Sequence, residues 1–328
     1  MVEKAEVAIG KRDAAFCNIK VLLLYLVVYG HLIEARIQDS AVLLWQYRVI
    51  YGVHMPLFAF LSGMFLKGEE RCLAQMKKAA AYYACFQAAA MVPAWIGGGS
   101  ASFAVPVWHL WYLLSLCCWA GMGLVLSFLE RRSAVIRDAW NKKRKGKTLI
   151  MAACVGVACV AGNIQAIGRT FSLSRTIVFW PYVLAGREFP GDIRRKRYRI
   201  SAALGGILAL ALLAALGDRM PVELLYQADS YRALGVEDGF WLRLASYIIG
   251  AGLGALLLIF MPERRLGVSK VGADTLWIYI LHAPLVALIR NVSLEPLEFL
   301  VTAPFAALAV IALLYEAGRW KGRLYRIV

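Results

Sequence analysis

The sequence predicts an all-α fold, a polytopic integral membrane bundle of about ten transmembrane helices with both termini cytoplasmic. Three observations predict it. Of 328 residues, 61% are hydrophobic and only 18% are charged, against about 45–50% and ~25% in ordinary soluble domains. The apolar residues gather in stretches close to the ~20 positions a helix needs to cross the hydrocarbon core. The formal net charge of +16 is distributed unevenly between those stretches. The same composition excludes disorder, which requires few apolar residues, and a pair of soluble domains.

Ten stretches qualify: 16–35, 41–66, 79–97, 105–129, 148–166, 172–187, 200–216, 240–261, 271–290 and 297–318. The sixth is short and holds Pro181, so a tilted, broken or internally packed helix is expected there. No repeat or heptad run stands out. Nothing remains for a separate soluble domain, so 1–328 reads as a single membrane-embedded domain. The leader before the first stretch is charged, and the apolar run after it lacks a small-residue cleavage site, so no cleaved signal is expected.

The cations fix the orientation. With the N-terminus inside, 28 of the 37 Lys and Arg residues fall in the leader, the inner loops and the C-terminal tail. Eight lie towards the outside: Arg36, Arg48, Arg169, Arg175, Arg219, Arg232, Arg243 and Arg290. An excess of that size on one side is the positive-inside signature of cytoplasmic termini. The basic loops therefore call for a lipid bilayer, whose anionic headgroups they also suit, and for no nucleic acid. The seven cysteines show no CxxC or His/Cys spacing, so free thiols and no metal are expected.

Ionisable groups at membrane depth are functional candidates. All four histidines, His31, His54, His109 and His282, lie in or beside spans at similar depth, from the midplane to the outer leaflet. Such a set argues against a metal, for lack of Cys or acidic partners, and for a polar cavity. The first span is the most informative. Lys20 and His31 are eleven positions apart, ~1,100° of helix and so only ~20° from a shared face, with a rise of ~16.5 Å. Glu34, three positions beyond, lies where it orients or polarises the ring, or stands as an exposed carboxylate at the outer end. Lys20 is either a fixed cation near the inner surface or a snorkelling headgroup contact. Arg175, opening the sixth span with Ser172 and Ser174, is either a headgroup anchor or the partner of a buried anion.

Lys20 with His31, Val53-His54-Met55-Pro56-Leu57-Phe58 with Ser62-Gly63, Trp108 to Tyr112, Ser172 to Arg175, and Tyr279 to His282 occur in order along the chain. Together they resemble the membrane acyltransferase-3 family, and within it the fucose 4-O-acetylase-related branch, from about Lys11 to Gly318. The resemblance implies a bacterial O-acyltransferase of the cell inner membrane. Such an enzyme takes an acyl group, usually acetyl, from cytoplasmic acyl-CoA as donor substrate, with no bound cofactor. It places that group on an extracytoplasmic glycan or related cell-envelope acceptor. The family's basic residue, ten intervening positions and histidine fall on Lys20 and His31, lysine standing where arginine is common, and His31 inherits the catalytic role. The Arg-x-x-Arg-type pair found in relatives at the start of span three is replaced here by Gln75-Met76-Lys77-Lys78.

On that basis Lys20, Lys77 and Lys78 are expected to bind the donor's phosphates, lysine acting as a point charge. His31, helped by Glu34, is expected to act as general base on the acceptor hydroxyl. His54, Ser174, Arg175 and His282 are expected to hold the acceptor or stabilise the oxyanion. The alternative is a transporter or flippase of a glycolipid or small anion through a histidine-lined cavity. The short sixth span resembles a broken transporter helix, but no inverted repeat is visible, and Glu34 and Asp274 are too few for an acidic relay.

Overall fold

The computed structural model describes residues 11–133, 144–189, 198–273 and 275–324. Asp274 and most of the basic stretches 130–147 and 187–199 lie outside them. Of the described residues 79% are helical, and none lies in a strand. The helices are α1 (Lys11–Ile33), α2 (Ala41–Gly63), α3 (Glu69–Ile96), α4 (Trp111–Arg132), α5 (Arg144–Ala161), α6 (Leu173–Glu188), α7 (Arg199–Leu216), the one-turn α8 (Val222–Leu225), α9 (Gly239–Phe260), α10 (Thr275–Ile289) and α11 (Pro296–Leu324).

A helix covers each of the ten expected stretches. Five helical segments are both long and apolar enough to cross a membrane: Ala14–Arg36, Trp108–Arg132, Arg199–Leu216, Gly239–Phe260 and Pro296–Arg319. Gly146–Ala161 and Thr275–Ile289 are apolar but shorter. The other three stretches fall on helices that carry more polar cargo or fewer residues. α2 holds Gln46, Arg48 and His54, α3 opens on Glu69, Glu70 and Arg71, and α6 has only 16 residues. The architecture is that of a multi-pass helical membrane protein.

The chain divides into two compact units, neither continuous in sequence. The first comprises Met1–His54, Ile193–Leu213 and Ala251–Val328; the second comprises Met55–Asp192 and Ala214–Gly250.

In the first unit, α1 is the core helix. Leu23, Leu24, Val28 and Ile33 have no exposed surface, and α10, α11 and the 3-10 segment Gly267–Ala273 pack on it. Burial on all sides suits a helix that is apolar all round. α7 lies against α9 through small residues. A Cβ on Gly252 would collide with the Gly205 carbonyl, and one on Gly206 would meet Leu256. Glycine is required there because two backbones touch.

The second unit is tied by side chains that reach backbone carbonyls. Fully buried Gln87 on α3 donates to the carbonyls of Ser102 and Val105 and accepts from the Val107 amide. That clamp fixes the approach of the chain to α4. Trp119 on α4 donates its indole N–H to the Thr176 carbonyl at 2.9 Å. Arg187 pairs with Glu130 at 2.7 Å and donates to Ser127 and the Leu66 carbonyl. Gly63 and Gly186 press on the carbonyls of Val183 and Phe60, leaving no room for a Cβ. Arg243, counted above as an outer cation, has no exposed surface. Its guanidinium donates to the Ala158 carbonyl and lies 4.6 Å from the Tyr231 ring centre.

Candidate active site

Three of the four histidines meet in the first unit. α1 carries His31 near its C-terminal end, the last turn of the first unit's part of α2 carries His54, and α10 carries His282. The His31 and His282 rings stack with centroids 5.3 Å apart and planes 22° from parallel. Tyr51, one turn before His54 on α2, sets its ring edge-on to both His31 and His54. Tyr47 stacks on Tyr51 at 4.1 Å. The result is a wall of alternating aromatic and imidazole rings.

Each imidazole is oriented through Nδ1. His54 Nδ1 lies 2.7 Å from the Ile50 carbonyl, and His282 Nδ1 lies 2.6 Å from the Tyr279 carbonyl. A carbonyl only accepts, so the proton sits on Nδ1 in both rings, and in the neutral form Nε2 carries the lone pair. His31 Nδ1 lies 3.5 Å from Glu34 Oε2 and 3.4 Å from the Tyr51 hydroxyl. A carboxylate beside one ring nitrogen favours the proton there and leaves the opposite nitrogen basic. Glu34 is itself held by the Tyr47 hydroxyl and the positive charge of Arg290. The His31 side chain is 11% exposed and that of Glu34 26%, so the pair is sheltered but not sealed.

Midway along α1, Lys20 is half-buried. Lys77 and Lys78 are exposed on α3, in the second unit, with Lys78 Nζ 6.0 Å from the Tyr82 ring centre. Ser174 and Arg175 also belong to the second unit. The Ser174 hydroxyl donates to the Gln227 carbonyl at 2.8 Å. Arg175 donates from Nε to the Tyr226 carbonyl at 3.0 Å, and its guanidinium lies 4.6 Å from the Trp111 ring centre. Its positive charge is also felt at Asp229, whose ion-pair partner is Arg169. His109, the fourth histidine, is buried in the second unit with its ring edge-on to Trp108.

The structure thus brings His31, Glu34, His54 and His282 together. It adds three residues that sequence reasoning gave no role: Tyr47, Tyr51 and Arg290. Tyr51 and Tyr47 stand three and seven positions before His54 and therefore on its helix face, a signal available in the sequence. Arg290 carried none. Among the described residues, no three His, Cys, Asp or Glu side chains are grouped to hold a metal ion. Two rings with lone pairs on Nε2, a carboxylate-backed third and a buried hydroxyl make a proton-accepting site.

The comparisons with known proteins agree with acyl chemistry. An acyltransferase domain family matches residues 14–315. No curated protein and no solved structure matches the chain. Because the family match runs over nearly the whole chain rather than over one motif, the chain belongs to the acyltransferase-3 family of membrane acyltransferases.

Proposed function

We propose that the protein is an O-acyltransferase of the cell inner membrane. It crosses the bilayer about ten times with both termini cytoplasmic, and moves an acyl group, acetyl by preference, from cytoplasmic acyl-CoA. The acceptor is a hydroxyl of an extracytoplasmic glycan or related cell-surface molecule, and the fucose 4-O-acetylase-related branch is its place in the family. One observation carries the reading: the His31 imidazole is flanked at Nδ1 by Glu34 and Tyr51 and stacked on His282. Family membership favours transfer over the transport alternative.

In the proposed reaction, neutral His31 takes the acceptor's hydroxyl proton on Nε2 as the oxygen attacks the thioester carbonyl. The imidazolium that forms is stabilised by the Glu34 carboxylate across the ring. The tetrahedral intermediate collapses by breaking the C–S bond, and the proton on His31 passes to the departing CoA sulfur. Ester and free thiol leave, and His31 is neutral again. His54 and His282 line the acceptor's place. Arg175 and Ser174 of the second unit are the other proposed acceptor or oxyanion groups. Lys20, Lys77 and Lys78 take the donor's phosphates.

The test is to incubate purified protein with acetyl-CoA and a panel of glycan acceptors, following free CoA and the acetylated product. Release that depends on His31 supports the reading. An equal rate from the His31→Ala variant overturns the mechanism, and no release with any acceptor overturns the function.

A further inference from the structure

Below His31 on the same helix lies a feature the reaction above does not use. After α9 the chain runs through 262–273, which carries Arg264, Arg265 and Lys270, all exposed, with one acid, Glu263. As a topology signal these cations need only be on the correct side of the membrane, and a loose loop would serve. The segment is not loose. Asn18 of α1, 3% exposed, donates from Nδ2 to the carbonyls of both Pro262 and Arg264 at 3.0 Å. Its Oδ1 accepts from the Ser269 hydroxyl at 2.5 Å, and that same hydroxyl accepts from the Leu266 amide at 2.8 Å. Gly272 sits so close to the backbone of Cys17 that a Cβ has no room.

Two buried polar side chains and a glycine contact are therefore spent on fixing a basic turn to the N-terminal part of α1. Buried polar groups are costly unless fully partnered, so rigid placement of these cations has been selected over mere presence. The place is also informative. Lys20 is one turn beyond Cys17 on nearly the same face, and helical side chains lean back over the preceding turn. Lys20 therefore stands about 60° around the helix from Cys17, the residue on which Gly272 rests. Of the four cations Lys20, Arg264, Arg265 and Lys270, two are planar guanidinium forks, the group that suits paired phosphate oxygens. His31 stands ~16.5 Å further along the same helix.

We propose that segment 262–273, pinned to α1 by Asn18 and Ser269, binds phosphate groups of the donor's nucleotide through Arg264, Arg265 and Lys270 together with Lys20. This rests on the acyl-CoA reading above and names the donor site within the unit that holds His31. Anionic lipid headgroups offer the same phosphate chemistry, and the test separates the two sources.

CoA binding is measured by calorimetry on the full chain in nanodiscs of phosphatidylcholine, with and without phosphatidylglycerol. Arg264→Ala/Arg265→Ala should weaken CoA about tenfold or more and flatten the dependence of its affinity on salt. Ser269→Ala, which removes no charge and leaves the topology signal intact, should weaken CoA too, and Ser269→Thr should restore much of the loss. Wild-type affinity for CoA in both the arginine and Ser269→Ala variants overturns the inference and leaves acyl transfer standing. No CoA binding by the wild-type protein overturns the acyl-CoA reading itself. If the arginine variant loses bound phosphatidylglycerol but keeps its CoA affinity, the site is a headgroup site and the inference is overturned.

Discussion

The two units solve opposite problems with similar residues. In the first, the imidazoles of His31, His54 and His282 meet, each oriented at Nδ1. In the second, hydroxyls and guanidinium groups reach backbone carbonyls: Ser174 that of Gln227, Arg175 through Nε that of Tyr226, Arg243 that of Ala158 and Arg187 that of Leu66. The second unit also holds all four described non-glycine residues with positive φ, namely Trp108, Phe171, Ser172 and Gln227. A left-handed backbone costs such residues roughly 1–2 kcal/mol each, and the hydroxyl network offsets it. Ser172 is bound through its side chain to Ser115, and Gln227 through its backbone carbonyl to Ser174 and its side-chain amide to Ser246. Proton chemistry thus gathers in the first unit and mechanical restraint in the second.

Substitutions on either side should therefore fail differently. The largest effect is expected at His31. His31→Ala should lower kcat by about 10²–10⁴-fold, the usual contribution of a general base, while CoA affinity and thermal unfolding in detergent stay near wild type. A parallel loss of thermal stability would mean that the ring stack is structural and the division fails.

Next comes the glycine contact of the second unit. In Gly186→Ala the new Cβ meets the Phe60 carbonyl, and overpacking of this kind costs about 1–3 kcal/mol. Thermal unfolding should drop clearly while kcat per folded molecule is kept. Ser174→Ala should cost less, about 1–2 kcal/mol, because it strips the Gln227 carbonyl of its hydroxyl partner. Its two readouts decide what Ser174 does. Lower Tm with an unchanged acceptor KM makes it a prop, whereas a raised KM at unchanged Tm makes it an acceptor contact.

The contrast also separates what the sequence makes legible from what it hides. Helix positions are legible because apolar runs of crossing length have few alternatives. His31 with Glu34 is legible because three positions on one helix fix a shared face without knowledge of the rest. Tyr47, Tyr51 and Arg290 are not, because their approach to His31 and Glu34 depends on packing between different segments of the chain. The Asn18 clamp on 262–273 bridges more than 240 positions, and only the folded chain shows it. Nor do Trp108, Phe171, Ser172 or Gln227 advertise their backbone. Positive φ is usually announced by glycine or asparagine, and here it is imposed by surrounding hydrogen bonds.

The smallest expected effect lies in the second unit's loops and depends on pH. Arg169 donates to both carboxylate oxygens of Asp229, from Nε at 2.9 Å and Nη2 at 2.8 Å. Those hydrogen bonds hold the Asp229 carboxyl below its ordinary 3.8, with the positive charges of Arg169 and Arg175 adding to the pull and burial opposing it. A carboxylate whose folded value is lowered stabilises the fold while ionised. That contribution is complete above the ordinary value and disappears as pH falls through the lowered one. Arg169 is 60% exposed, and ion pairs open to water are worth about 0–1 kcal/mol, so Asp229→Asn should cost about 0.5 kcal/mol at neutral pH. Plotted against pH, the unfolding temperatures of wild type and variant should stay parallel above the ordinary value of 3.8 and converge as pH falls through the lowered one. If the gap persists in acid, Asp229 supports the loop by packing rather than by charge. The restraint in the second unit would then be shape alone.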